Sequence, residues 1–248
     1  MSTDNLTTSH LVQSGELKKQ TGPFTQTSLD GSNYIFSTAG LSNSDGSNEA
    51  TMGHLTLTTN GTFTGVIDDN GNPENSVMGT IFIAATGRVT ITSGGGMHPP
   101  VFYLVNSSLA FVADTSSSVA FGSFEKQTGP FGTGAISGQY FFGADAPTTG
   151  SSYSSGTANF NATTGVITGN EDSSRNDGLR PSNPISNNGT PVTYCFSTSV
   201  CTPATTATGQ GNVGGSLAYI ISPSKVIFMD TNNQGGTVQD RRLFVIQK

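Results

Sequence analysis

Apolar and polar residues alternate along short stretches of this chain, and polar turns separate the stretches. Leu55 and Leu57 flank Thr56, and Phe63 lies between Thr62 and Thr64. A period of two residues predicts strands with one buried and one solvated face. The residues predicted to share the buried face are Leu55, Leu57, Phe63, Gly65, Ile67, Val89, Ile91, Val101, Tyr103, Val105, Leu109, Phe111 and Ala113. Helical periodicity is hard to find, so the chain is predicted to be all-β.

The first half of the chain is predicted to form an up-and-down barrel. Its strands are predicted near 32–38, 52–59, 62–69, 77–84, 87–93, 100–106, 108–114 and 118–127. The connectors are short and carry turn residues, such as Asn60-Gly61 and Thr86-Gly87. Eight consecutive antiparallel strands favour closure, because closure removes both exposed edges.

The same arrangement occurs twice. The hexapeptide Lys-Gln-Thr-Gly-Pro-Phe begins at Lys19 and again at Lys126. The second set of strands is predicted near 138–144, 154–161, 165–172, 191–197, 203–210, 216–222, 225–231 and 238–247. The predicted units are a tail at 1–21 with a surplus strand, a first barrel at 22–128, and a second barrel at 129–248. A polar insertion at 173–190 interrupts the second barrel, as a binding loop or as a tolerated surface loop.

An eight-stranded barrel has room for its own side chains or for one small ligand. The density of Phe and Ile favours packing. Phe63, Phe111, Phe160 and Phe228 are predicted to fill the interiors. A cavity in either barrel would instead favour a small apolar ligand.

Composition favours an extracellular or cell-surface protein. Only 10 % of the residues are charged and Trp is absent, whereas about 25 % are charged in an average soluble protein. The net charge of −6 argues against a nucleic-acid partner, which needs clustered Lys and Arg. No apolar run is long enough to predict a membrane-spanning helix.

The charge is unevenly divided between the two halves. Residues 22–125 hold one basic and eight acidic residues, a net of −7, and residues 126–248 hold seven basic and six acidic residues, a net of +1. The difference either reflects drift between the repeats or favours head-to-tail self-association, to which Arg241 and Arg242 would contribute.

Cys195 and Cys201 are the two cysteines of the chain. In a secreted protein such a pair predicts a disulfide that closes a small loop. A metal site lacks further ligands, because His10, His54 and His98 are scattered. The sequence thus predicts a disulfide and no metal.

Candidate chemistry is sparse. Asp68 and Asp69 are adjacent, so in a strand they point to opposite faces and cannot act on one substrate together. Residues 68–75 are rich in oxygen ligands but depart from EF-hand spacing, so they are predicted to form a turn. No residues form a recognisable triad or a phosphate-binding loop. The chain is therefore predicted to have no cofactor and not to be an enzyme.

Residues 10–20 resemble a further copy of the strand that closes each barrel. The segment is a fragment of an upstream repeat, an extension of its own barrel, or a strand that inserts into a neighbouring molecule. Leu11, Val12 and Leu17 would supply apolar anchors for insertion. We predict that it pairs outside the first barrel, most simply on a neighbouring molecule.

Several motifs together resemble a repeat of large surface proteins from soil bacteria such as acidobacteria. They are Gly31, Tyr34 and Phe36, then Gly61, Phe63 and Gly65, then Gly79, Thr80, Gly87 and Arg88, then 102–105, and finally 125–131. The Gly-x-Tyr strand also resembles those of lipocalin-like, calycin-type barrels, although the Gly-x-Trp hallmark is absent. The resemblance implies a structural or adhesive extracellular protein, such as a filament or surface-stalk subunit. The alternative is a binding module, with a lipocalin-like pocket or a carbohydrate surface on 173–190.

Overall fold

The computed structural model describes residues 2–6, 9–13, 16–42, 47–69, 75–94, 98–115, 118–144, 153–175, 178–187, 189–196, 208–230 and 242–248. The chain begins with a two-stranded hairpin of β1 (Ser2–Leu6) and β2 (Ser9–Gln13). Two short 3-10 turns, Thr59–Gly61 and Thr133–Ala135, are the helical elements among these residues.

The first barrel follows the hairpin. Its strands are β3 (Ser32–Ser42), β4 (Asn48–Leu57), β5 (Thr62–Asp69), β6 (Asn75–Ile83), β7 (Arg88–Ser93), β8 (Val101–Asn106), β9 (Leu109–Ala113) and β10 (Ser118–Lys126). Each strand pairs antiparallel with the next, and β10 returns to pair with β3. The tight β4–β5 turn needs left-handed backbone, and Asn60 (φ 66°) and Gly61 (φ 72°) supply it.

The second barrel repeats this order. Its strands are β11 (Gly138–Ala144), β12 (Tyr153–Asn161), β13 (Val166–Arg175), β14 (Gly178–Pro184), β15 (Ser186–Asn187), β16 (Thr190–Cys195), β17 (Gln210–Val213), β18 (Ser216–Ser222), β19 (Lys225–Asp230) and β20 (Arg242–Gln247). β11 pairs with β20, and β13 pairs with β16 to close eight strands. β14 and β15 are additional strands beside β13 and β16.

The predicted fold class is confirmed: the molecule consists of two closed, antiparallel, eight-stranded barrels. Three strands, 62–69, 138–144 and 216–222, have the predicted bounds. The insertion at 173–190 differs from a simple loop, because β14 lengthens the sheet beside β13.

The face assignment of two strands was wrong. Tyr103 and Phe111 lie on the outer surface of the first barrel, whereas Phe102, Leu104, Ala110 and Val112 belong to its core. β8 carries apolar residues on both faces, so alternation could not identify the inner one. Phe63, Phe160 and Phe228 do face the interiors, as predicted.

Each copy of the repeated hexapeptide is hydrogen-bonded to backbone carbonyls at one end of a barrel. Gln20 Nε2 donates to the carbonyl oxygens of Thr86 (3.0 Å) and Leu104 (2.6 Å). Gln127 Nε2 donates to those of Thr208 (2.8 Å) and Ile220 (2.6 Å). The repeated glutamine therefore holds the same two strands together in each barrel.

Candidate interaction surface

The interiors of the barrels are occupied by their own side chains. The cavity in the first barrel measures about 20 Å³ and is lined by Leu55, Phe63, Phe102 and other core residues. Small-molecule sites are typically about 300–1,000 Å³, so this cavity has the size for one water molecule. In the second barrel, the rings of Tyr140, Phe160 and Tyr194 pack with centroid separations of 5.2 and 4.9 Å.

The two barrels pack against each other along a surface that we call the seam. It joins the outer face of β3 and β4 to the outer face of β18, β19 and β20. Its residues are Ile35, Ala39, Ala50 and Met52 from the first barrel and Tyr219, Ile221, Ile227, Met229 and Leu243 from the second. All of them are buried. Since burying one large apolar side chain contributes about 1.5–3 kcal/mol, the seam holds the barrels firmly together.

Polar contacts reinforce the seam. Lys225 Nζ lies 2.7 and 2.9 Å from the two carboxylate oxygens of Glu125. Ser123 Oγ donates to the same carboxylate at 2.8 Å. The Thr128 amide donates to the Ile221 carbonyl at 2.8 Å, directly after the last strand of the first barrel. The barrels are thus joined without a free linker.

Two buried titratable side chains lie on the outer faces beside the seam. His54 is opposite Ile35 across the β3–β4 pair, and no hydrogen bond to its Nε2 is found within the described residues. Burial lowers the pKa of His54 below its usual value, which favours the neutral imidazole. Asp68 is buried on the neighbouring strand β5.

An exposed aromatic patch lies on the outer face of β8, β9 and β10 in the first barrel. Tyr103 is 48 % exposed and Phe121 is 59 % exposed, with half-buried Phe111 and exposed Ala113 between them. Tyr103 is opposite Phe111, and Ala113 is opposite Phe121, so these residues form one continuous patch. Contiguous apolar patches of this kind mark interaction sites.

The structure places the predicted cysteines and tail residues as follows. Cys195 ends β16, and Cys201 lies outside the described residues, so the disulfide stays a prediction. Leu11 and Val12 belong to β2, which pairs with β1 of the same chain, outside the first barrel. Leu17 is 101 % exposed. Pairing of this segment with a neighbouring molecule stays a prediction.

Of the two arginines predicted to contribute to assembly, Arg242 belongs to the described residues. Arg242 is buried, opposite Asp230, with its guanidinium carbon 5.9 Å from the Phe244 ring centroid. Arg241 lies outside the described residues. A contribution of these two arginines to assembly stays a prediction, which the burial of Arg242 does not favour.

The described part of the chain lacks metal-binding clusters and membrane-spanning helices. It contains no group of three or more His, Cys, Asp or Glu side chains that could hold a metal ion. It also contains no helix with the length and apolar character needed to cross a membrane.

The seam was not predicted from the sequence, although a pattern for it exists. β18 and β19 carry near-continuous apolar runs rather than strict alternation. Such runs are typical of strands that are buried on both faces. The sequence Tyr34-Ile35-Phe36 in β3 has the same character.

No protein-family model and no curated protein sequence matches the chain. Among solved structures, it is similar to a DUF3598-family protein of unknown function from Nostoc punctiforme, with 9 % identity and a TM-score of 0.25 over 87 % of this chain and 94 % of that one. It is also similar to kievitone hydratase from Nectria haematococca, with 9 % identity and a TM-score of 0.29 over 93 % of this chain and 96 % of that one. At this identity and TM-score, neither likeness assigns an activity to this chain. The resemblance to bacterial surface repeats stays a prediction.

The prediction that the chain is not an enzyme is contradicted by the second likeness. Kievitone hydratase is an enzyme, whose activity this likeness does not transfer to the chain. The prediction rested on the lack of a recognisable catalytic motif. One fold supports many activities, and active sites assemble from residues that are distant in sequence, so a missing motif does not exclude activity. The prediction that the chain is not an enzyme is therefore withdrawn.

Proposed function

We propose that the chain is a structural repeat protein of the cell exterior, in which two filled barrels form one rigid unit of a surface stalk or filament. The observation that carries the proposal is the seam, where nine buried residues lock the barrels together. A carrier of small ligands would need open interiors, whereas the first barrel has a cavity of about 20 Å³.

The residues shared by the two repeats support the same proposal. Gln20 and Gln127 bind equivalent carbonyl pairs. Tyr34 and Tyr140 donate their hydroxyls to the equivalent carbonyls of Ser107 and Pro223, both at 2.7 Å. These repeated contacts stabilise the barrels, which is what selection for a rigid unit would preserve.

Binding of small apolar probes separates this proposal from a lipocalin-like carrier. We expect no saturable binding of benzene, indole or a fatty acid to the unchanged chain. Phe63→Ala is the positive control, because it enlarges the cavity of the first barrel. This variant should bind benzene, which would show that the assay detects binding. Stoichiometric binding of a fatty acid by the unchanged chain would overturn the structural role in favour of a carrier.

Location is tested by antibody labelling of intact producing cells, followed by electron microscopy. We expect label on the outside of unpermeabilised cells, along stalks or fibres. Label that appears only after permeabilisation would contradict the exterior location. Low charge supports that location, because hydroxyl and amide groups replace charges as the source of solubility.

A further inference from the structure

The seam joins two different faces of the repeated fold. We call the outer face of β18, β19 and β20 the docking face, and the outer face of β3 and β4 the receiving face. Since both barrels have the same strand order, each carries a counterpart of both faces. Within one chain, the second barrel's docking face meets the first barrel's receiving face. The docking face of the first barrel contributes Ser123 and Glu125 to the polar edge of the seam. Its aromatic residues and the receiving face of the second barrel are not among the seam residues.

Repeated hydrogen bonds identify the counterparts in the first barrel. Gln20 binds the Leu104 carbonyl and Gln127 binds the Ile220 carbonyl, both at 2.6 Å, so Tyr103 corresponds to Tyr219. The strand register extends the match to the rest of the face. The residues Tyr103, Val105, Phe111, Ala113 and Phe121 correspond in order to the seam residues Tyr219, Ile221, Ile227, Met229 and Leu243.

The exposed aromatic patch is therefore the docking face of the first barrel. The corresponding face of the second barrel is covered at the seam, whereas this patch is not. Tyr219 and Leu243 are fully buried at the seam, but their counterparts Tyr103 and Phe121 are largely exposed. A surface that is apolar in both repeats but covered in only one indicates a missing partner.

The described part of the receiving face of the second barrel is also exposed. Tyr34 and Tyr140 make the same hydroxyl bond, so the next residues, Ile35 and Phe141, correspond. Ile35 is buried in the seam, whereas Phe141 is 66 % exposed on the outside of β11. Thr157 lies opposite Phe141 and His54 lies opposite Ile35, so Thr157 corresponds to His54. One large apolar side chain thus stands exposed where the seam would need it.

We propose that a second copy of this chain covers these surfaces: the first barrel of one molecule docks on the β11–β12 face of another and repeats the seam between molecules. This contact rests on the proposed structural function and deepens it by naming the partner. A contact between two different faces leaves one of each free after every addition, so it generates an open filament unless the rotation closes a ring.

Charge supports this pairing over contact between like barrels. The docking surface belongs to the half with a net charge of −7, and the receiving surface belongs to the half with a net charge of +1. Two first barrels would repel each other, whereas a first barrel and a second barrel would not. Association should therefore weaken as the salt concentration rises.

Complementary variants of the full chain provide the test. Phe121→Lys blocks the docking face and Phe141→Lys blocks the receiving face. In sedimentation velocity at low salt, we expect the unchanged chain to form concentration-dependent oligomers and each variant to lose association roughly tenfold or more. An equimolar mixture of the two variants retains one intact pair of faces, so it should form a one-to-one dimer and nothing larger.

Met78→Lys is the matched control, because Met78 is exposed on β6 outside both faces. The Met78→Lys variant should associate like the unchanged chain. All three lysine variants should have the melting temperature of the unchanged chain. Phe121→Ser and Phe141→Ser serve as a second pair if a lysine variant melts early. An unchanged chain that stays monomeric, variants that associate normally, a mixture that stays monomeric, or a control that loses association would each overturn the contact.

The result is separable from that of the proposed function and from strand insertion by residues 10–20. A monomeric chain that still binds no probe and labels the cell exterior overturns the head-to-tail contact alone. Deletion of residues 1–19 should leave association by the two faces intact, and loss of association in that truncated chain would indicate strand insertion instead.

Discussion

At the scale of single residues, the repeated glutamine shows how one polar side chain stabilises a barrel. Gln20 and Gln127 each bind two carbonyl oxygens, but Gln127 is buried and Gln20 is exposed. The glycine that follows the first carbonyl, Gly87 or Gly209, has a positive φ and lies close to Phe24 or Phe131. An added Cβ at Gly87 would come within 2.8 Å of Phe24, so the hexapeptide and the glycine depend on each other.

The two glutamines form a matched pair of variants. Gln127→Leu should lower the free energy of unfolding by about 1–3 kcal/mol, because the carbonyls of Thr208 and Ile220 each lose a hydrogen bond from a buried side chain. Gln20→Leu should cost less, since Gln20 is exposed and its hydrogen bond to Thr86 lies at the surface. Urea unfolding of both variants measures the difference. Equal losses would show that burial does not decide the strength of this contact.

His54 gives a pH dependence at the same scale. Its pKa in the folded protein is lowered by burial from 6.5, so the unfolded chain takes up the proton at a higher pH than the folded one. The stability contributed by His54 is therefore complete above about pH 6.5 and falls as the pH drops below that value. The free energy of unfolding of the unchanged chain should decrease more steeply over this range than that of His54→Gln. Exposed His98 provides the control, and His98→Gln should behave like the unchanged chain.

At the scale of strands, alternation and turn residues predicted most of the fold. The bounds of β5, β11 and β18 follow from short apolar–polar repeats bounded by Gly, Asn or Ser. Barrel closure followed from the number of strands and their short connectors. Alternation failed at β8, where Phe102 and Tyr103 are both aromatic and only packing decides which points inward. The seam and the open aromatic patch escaped prediction for the same reason.

The corrected facing of β8 is testable with neighbouring substitutions. Phe102→Ala should lower the free energy of unfolding by about 3–5 kcal/mol, because Phe102 is buried among Phe36 and Phe124. Tyr103→Ala should change it by no more than about 0.5 kcal/mol, because Tyr103 is on the surface. Denaturant unfolding distinguishes the two, and the reverse order would restore the original face assignment.

At the scale of the whole molecule, the seam makes two barrels behave as one unit. Each barrel has its own core, and the seam is a third apolar cluster between them. Domains that share a large apolar contact and no free linker are expected to unfold together. The cores could be predicted from sequence separately, but their relative placement depends on residues that look like ordinary strand positions.

Calorimetry of a matched pair tests this coupling. The unchanged chain should show one thermal transition. Leu243→Asp should split it into two, because an unpaired charge would be buried at the seam. The counterpart Phe121→Asp, on the exposed docking face, should keep a single transition under conditions where the protein is monomeric. Two transitions in the unchanged chain would show that the barrels unfold independently.

The pairing of first and last strands also governs the order of folding. β3 closes on β10 and β11 closes on β20, so each barrel joins residues from opposite ends of its own stretch of chain. During synthesis, both edges of the first sheet remain open until Lys126 has left the ribosome. Contacts between residues so distant in sequence form slowly, and open edges capture other chains. Because β10 ends far ahead of β20 along the chain, the first barrel can close before β20 has been synthesised. The second barrel then folds against a receiving face that is already complete.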